Sequence, residues 1–175
     1  MIKLVNDLLN VSRIEEGRFV YKMELSDLGS ICQSMFDAYQ EEIKRRNLEF
    51  TFNKPQELPK VNVDVEKISL AIHNLLDNAI RYTPSGGKII MSLETKGNYI
   101  EFSIKDTGIG IPKSQQERIF TKFFRGSNAL KTETEGSGLG LFIVKNIIEA
   151  HGGEIWFESE EGKGTTFYFT LPVVS

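Results

Sequence analysis

TETEGSGLGLFIVKNIIEAHGG, residues 132–153, starts polar, passes through Gly136, Gly138 and Gly140, and becomes an amphipathic helix that stops at His151, Gly152 and Gly153. An ordered glycine gives up more conformational entropy than alanine. Three of them directly in front of a helix signal that something must approach the bare backbone. The first turn of a helix leaves N–H groups unpaired and pointing one way, and the macrodipole adds positive potential there. The stretch therefore predicts an anion site, suited to a polyphosphate, feeding a helix over 138–151. His151, beside Gly152, reads as a helix-end residue and not as a catalyst.

The rest of the chain sets the frame for that site. With 175 residues, 40% of them hydrophobic, it suits one globular domain with a short appendage. A formal net charge of −3 and a pI of about 5.5 provide no global basic field for nucleic acid. Cys32 is the only cysteine, which rules out an internal disulfide and suits a reducing compartment. No apolar run approaches the ~20 residues of a membrane helix, and no signal peptide opens the sequence, so a soluble domain is expected. The sequence opens in the middle of a helical pattern, and further sequence upstream is expected.

Residues 1–17 predict a helix closed by Gly17, with Met1, Leu4, Leu8 and Val11 forming a coiled-coil-like seam. It reads either as a helix docked on the domain or as half of a helical hairpin. Alternation over 19–25 predicts a short strand. Ser26 or Asp27 then caps a helix over 28–46, whose basic end at Lys44, Arg45 and Arg46 is a solvated terminus. Strands follow at 48–52 and 61–63. Asp64 caps a helix over 65–82, which the turn at 83–87 ends. Strands at 88–94 and 99–105, the helix at 138–151 and a hairpin of 154–159 with 165–171 complete the order. This succession predicts an α/β two-layer sandwich, a mixed sheet with helices on one face and an N-terminal helix in front.

Three further constellations carry chemistry. In HNLLDNAIRY (residues 73–82), Ile68, Ile72, Leu75, Leu76 and Ala79 form a core stripe at about 100° per residue, while Asn74, Asn78 and Arg81 lie roughly 140° away with Tyr82 beside them. An amide oxygen suits Mg²⁺, a guanidinium suits phosphate and a tyrosine ring suits a base. The same stripe also reads as plain polar surface. In KDTGIGIP (residues 105–112), Asp106 leaves a strand end and its carboxylate can accept from an exocyclic amine such as that of adenine. Taken alone it is a common turn. In IFTKFFR (residues 119–125), three phenylalanines read as core, and Arg125 is placed to meet phosphate. Residues 126–136 have weak periodicity and read as a mobile lid.

In this order, the four motifs resemble the asparagine, first glycine, phenylalanine and second glycine boxes of sensor histidine kinases, members of the GHKL ATP-binding superfamily with its Bergerat fold. EGKGTTF (residues 161–167) looks like the family's closing G-x-G-T-x-F. The resemblance covers essentially the whole chain and implies ATP and Mg²⁺ as cofactors. It implies that 1–17 is the end of the second dimerisation and phosphotransfer helix and that 18–175 is the catalytic ATP-binding domain, with a mostly antiparallel mixed sheet. By position, Asn78 is the implied Mg²⁺ ligand, with Asn74 supporting it and Arg81 contacting phosphate. Tyr82 lines the adenine pocket, and Asp106 binds the adenine amine. Gly108 and Gly110 shape the pocket, with Thr165 or Thr166 completing it. Gly136, Ser137, Gly138, Leu139 and Gly140 wrap the triphosphate, and Arg125 is a further phosphate contact. Ser137 stands where the family often has threonine and keeps the hydroxyl.

The chain departs from the family at the phosphoacceptor. That residue is a histidine followed by glutamate in a motif like H-E-x-R-P, whereas His73 and His151 are followed by Asn74 and Gly152. The expectation is a catalytic part whose acceptor helix is absent, which transfers the ATP γ-phosphoryl group to a histidine of the parent's dimerisation domain. The implied partners are that domain and a response regulator. The parent is expected to be a homodimer anchored in a membrane with this domain in the cytoplasm, while the fragment alone is monomeric or pairs weakly through 1–16. Superfamily ATPases resemble one another in carrying a glutamate one turn before the metal-binding asparagine, to deprotonate water. Here that position is Asn74, a poor base. The other readings are a serine protein kinase or ATPase of the superfamily, and a non-enzymatic nucleotide-binding interaction module.

Overall fold

The chain, a computed structural model that describes residues 2–125 and 137–174, begins with α1 (Ile2–Glu15), β1 (Glu24–Ser26), α2 (Leu28–Ala38), α3 (Gln40–Arg45) and β2 (Glu49–Asn53). Then come β3 (Val61–Val63), α4 (Val65–Tyr82), β4 (Lys88–Lys96), β5 (Tyr99–Asp106) and a short 3-10 helix, Lys113–Arg118. The last elements are α5 (Gly140–Ala150), β6 (Ile155–Glu160) and β7 (Gly164–Pro172). The main sheet has the order β2-β4-β5-β7-β6, parallel only between β2 and β4 and antiparallel elsewhere. β1 and β3 form a separate antiparallel ribbon.

Strand alternation turns Ile89, Met91 and Leu93 of β4, Ile100, Phe102 and Ile104 of β5, and Phe169 and Leu171 of β7 to one buried face. Phe102 and Phe169 are register partners and stack with ring centroids 4.5 Å apart. α4 and α5 pack against each other over this face, and α2 lies beside α4. The Asp64 carboxylate caps α4 by accepting from the Lys67 N–H at 3.0 Å. The predicted stripe of Ile68, Ile72, Leu75, Leu76 and Ala79 is at most 3% exposed. The two-layer sandwich read from the sequence is the observed architecture.

Three elements differ from expectation for local reasons. The helix expected over 28–46 breaks at Tyr39, whose hydroxyl meets His73 Nδ1 of α4 while Ile43 still reaches the core. The strand expected over 19–25 is only Glu24–Ser26. Upstream of it, the Lys22 N–H donates to Asp64 Oδ2 at 2.7 Å, and Phe19 and Tyr21 meet edge to face at 5.3 Å. Those residues are occupied by packing and capping, not by ladder pairing. The expected seam of α1 is split: Val11 is buried together with Asp7, whereas Leu4 and Leu8 are 40% and 42% exposed.

His151 ties the end of α5 to the start of α4. Its Nδ1 lies 2.6 Å from the Ile147 carbonyl oxygen, and its Nε2 accepts from the Asp64 N–H at 3.0 Å. Both bonds are satisfied by the neutral ring with its proton on Nδ1. A second proton on Nε2 would set donor against donor. Burial, the largest influence, holds the imidazole below its ordinary pKa, against the Ile147 carbonyl and the Asp64 charge. A lowered folded-state value means that the unfolded chain binds the proton more readily, so this stabilisation is full above about pH 6.5 and is lost as pH falls through the folded value. Melting temperatures between pH 7.5 and 5 should therefore fall more for wild type than for His151→Gln. The comparison with the variant cancels the titration of other groups over the same range.

Candidate functional site

The C-terminal half of α4, the ends of β5 and β7 and the start of α5 surround a cleft with about 950 Å³ of space, its open mouth included. One wall is α4, whose buried stripe on the core turns Asn78, Arg81 and Tyr82 to the cleft. Arg81 Nη2 lies 3.1 Å from Asp77 Oδ2, an i,i+4 pair that steadies the guanidinium.

Asp106, the last residue of β5, is 8% exposed. Its Oδ1 accepts from the Gly108 N–H at 2.9 Å and the Thr165 N–H at 3.2 Å. Among the described residues none donates to Oδ2, and the carboxylate lines the cleft. Burial pushes its pKa up to about 6, against the pull of the two backbone N–H groups. A carboxylate held by one oxygen and open at the other is ready for an external N–H donor. Gly108 leaves no room for a side chain, because a Cβ there would lie 2.5 Å from the Tyr82 carbonyl oxygen. Thr165 is the register partner of Asp106, and its hydroxyl lies 2.8 Å from Ser159 Oγ.

The glycine turn opens the opposite wall. Ser137, Gly138 and Gly140 line the cleft, and Leu139, fully buried, anchors the turn in the core. The glycines differ in cause. Gly138 has φ +71° and a Cβ there would fall 2.8 Å from the Phe123 carbonyl carbon. The fold itself demands glycine at that position. At Gly140 a Cβ would meet nothing closer than Asn74 Cγ at 3.6 Å, an ordinary contact. Since the fold leaves room for a side chain there, what glycine keeps open is the cleft.

Most of the residues singled out from sequence converge here: Asn78, Arg81, Tyr82, Asp106, Gly110, Arg125, Ser137, Gly138, Gly140 and Thr165 all line the cleft. Asn74 does not. It is 2% exposed and sits beneath Gly140, and neither amide atom has a hydrogen-bond partner among the described residues. Gly136 and the expected lid over 126–136 lie outside the described residues. Sequence reading missed the apolar lining. Ile109 and Ile111 alternate with the glycines of the Asp106 turn, a signal that was available, whereas Phe124 read as core and Phe167 as part of the closing motif. Lys3 of α1 also lines the cleft, with no local signal to announce it.

A family model described as "Histidine kinase-, DNA gyrase B-, and HSP90-like ATPase" matches residues 63–175. The chain belongs to that ATPase family. Within the family it is similar to the sensor histidine kinase WalK of Bacillus subtilis, at 38% identity over 98% of this chain and 28% of WalK. The catalytic domain of histidine kinase ThkA, solved nucleotide-free, superposes with a TM-score of 0.76 at 33% identity, covering 87% of this chain and 96% of that one. ThkA in complex with the response regulator protein TrrA matches at a TM-score of 0.78 and 29% identity, over 98% of this chain and 48% of that one. Full-length ShkA in complex with AMPPNP matches at a TM-score of 0.85 and 25% identity, over 99% of this chain and 36% of that one. The chain spans less than half the length of the curated relatives it matches. As an ATP-binding domain of this family, it has Asp106 and the glycine turn on the walls of one cleft.

Two substitutions separate fold from site. Gly140→Ala should leave the melting temperature unchanged or raised while weakening ATP binding. Gly138→Ala should cost roughly 2 kcal/mol of stability, read by denaturant unfolding. Titration calorimetry should show Asp106→Asn weakening ATP on the order of tenfold to a hundredfold, since an amide donor can then stand where the open acceptor oxygen was. Wild-type affinity should fall as pH drops through about 6, where Asp106 takes up its proton.

Proposed function

We propose that this chain is the ATP-binding catalytic part of a two-component sensor histidine kinase, acting on a histidine that lies on a dimerisation helix outside this sequence. The observation that carries the reading is the Asp106 carboxylate, fixed through Oδ1 and open at Oδ2, facing a cleft whose other walls are Asn78, Arg81 and the glycine turn. In this reading Asp106 takes the exocyclic amine of adenine, and Ile109 and Ile111 lie against the purine. The backbone of Gly138 and Gly140 and the Arg81 guanidinium receive the phosphates.

Mg²⁺ fits the donor set in a limited way. Among the described residues no cluster of three His, Cys, Asp or Glu side chains surrounds the cleft. The protein ligand is then the Asn78 amide oxygen, with the nucleotide's own phosphates supplying others, as is usual for this ion. Mg²⁺ would neutralise phosphate charge, and the residues of the chain would hold the γ-phosphoryl group in line for attack by an imidazole nitrogen. The described residues around the cleft supply position and charge, and none of them stands where related ATPases carry their general base. Asn74, where related ATPases carry glutamate, is an amide and is turned away from the cleft.

Neither histidine of the chain suits the acceptor role. His151 is 6% exposed with both ring nitrogens engaged, and His73 is half-buried against the Tyr39 hydroxyl. The similarity to WalK and to the ThkA–TrrA complex supports a kinase that passes its phosphoryl group to a response regulator. The apolar seam of α1 supports pairing with a second helix in a dimeric parent. The α1 segment, 1–17, is the end of the dimerisation and phosphotransfer helix, and 18–175 is the catalytic unit. We also place the parent at a membrane with this part in the cytoplasm.

With γ-labelled ATP and Mg²⁺, the chain alone should bind nucleotide and hydrolyse it slowly. Adding a separate helical-hairpin domain that carries an acceptor histidine should yield acid-labile label on that domain, abolished by Asn78→Ala. Rapid hydrolysis by the chain alone, or labelling that persists in Asn78→Ala, would overturn the reading.

A further inference from the structure

Helix α1 meets the cleft through charged side chains, not through its apolar seam. The Ser137 hydroxyl donates to Asp7 Oδ2 at 2.7 Å, and its oxygen accepts from the Leu139 N–H at 3.1 Å. Asp7 is 3% exposed. A carboxylate shut away from water thus stands one hydroxyl removed from the first backbone N–H groups of α5, where negative charge is favoured. One turn earlier Lys3 lines the cleft, with its Nζ 3.1 Å from the Asp77 Oδ2 that also pairs with Arg81. Near the other end of α1, Glu15 pairs with Lys122. The helix is held at Asp77, Lys122 and Ser137, which belong to or adjoin three segments of the cleft wall. Val11 and Ile14 add apolar contacts with the core, and the polar attachments are the part that responds to charge placed nearby.

We propose that α1 is a strap that responds to nucleotide phosphate: the Asp7 carboxylate seated on Ser137 and the phosphates of a bound nucleotide repel each other across the start of α5, so that each weakens the other. This rests on the nucleotide reading of the cleft. A charge buried as Asp7 is suffers little screening by salt and water. Lys3 acts with the opposite sign, but its side chain is 42% exposed, so water screens it and Asp7 sets the balance. Linkage makes the effect reciprocal: if docked α1 weakens phosphate binding, phosphate weakens docking by the same factor. A nucleoside without phosphates leaves α1 in place.

The test uses the chain as it stands, with titration of Mg-ATP and of adenosine and amide hydrogen exchange over residues 3–14. Asp7→Asn keeps an acceptor for the Ser137 hydroxyl and removes the charge. It should bind ATP roughly three- to tenfold more tightly while adenosine affinity stays within about twofold. In wild type, ATP should speed exchange over 3–14 and adenosine should not. In Ser137→Ala exchange should already be fast without ligand, and ATP should add nothing. ATP affinity unchanged or lowered in Asp7→Asn overturns the strap, as does α1 exchange that ATP leaves unmoved or slows. If those results appear while Asp106→Asn still weakens ATP, the strap falls and the cleft reading stands. If ATP affinity ignores Asp106, the cleft reading falls and takes the strap with it.

Discussion

A single carboxylate group organises both the sheet end and the cleft. Asp106 closes β5, faces Thr165 across the ladder and receives the turn at Gly108 on the same oxygen. Two backbone N–H groups on Oδ1 hold it where burial would otherwise expel charge, and the net result is a pKa near 6. A carboxylate in that state retains an unmet need for a donor. Gly108 lacks a side chain so that the turn can close on it, and the register of β5 with β7 places Thr165 at its edge. Displacing Asp106 would unseat the turn, the strand end and the mouth of the cleft together.

Opposite Asp106, α4 serves two requirements with one periodicity. Its apolar stripe is bound to the sheet and to α5, which leaves the polar stripe no choice of direction. Asn78 and Arg81 therefore point into the cleft because Leu75 and Leu76 point into the core. Asn74 belongs to the same polar stripe, but α5 crosses over it at Gly140 and seals it from the cleft. Its amide has no hydrogen-bond partner among the described residues, beneath a crossing where a Cβ at Gly140 would come no closer than 3.6 Å.

Much of this was legible in the sequence. The α4 pattern, the Asp64 cap, the Asp106 turn and the run of glycines before α5 are local signals with 3.6-residue or turn logic, and each falls within a residue or two of its place. The reading of 19–25 as a strand went wrong because alternation there serves the packing of Phe19 and Tyr21 and the capping of Asp64 by the Lys22 N–H. The break at Tyr39 depends on His73, 34 residues away, and no local pattern encodes it. Asn74 was read as part of an open face because helical geometry gives azimuth but not what lies on top. Lys3 and Asp7 were invisible for the same reason, since their partners Asp77 and Ser137 are distant in sequence.

The offset between the two faces of α1 has a mechanical meaning. Leu4 and Leu8 follow Lys3 and Asp7 by one residue each, so the greasy ridge and the ionic ridge are set about 100° apart around the axis. A neighbouring helix that grips the greasy ridge would fix the azimuth of the ionic one. Twisting α1 by a fraction of that angle would then lever Asp7 away from Ser137, converting torque into a change in the field at the threshold of α5.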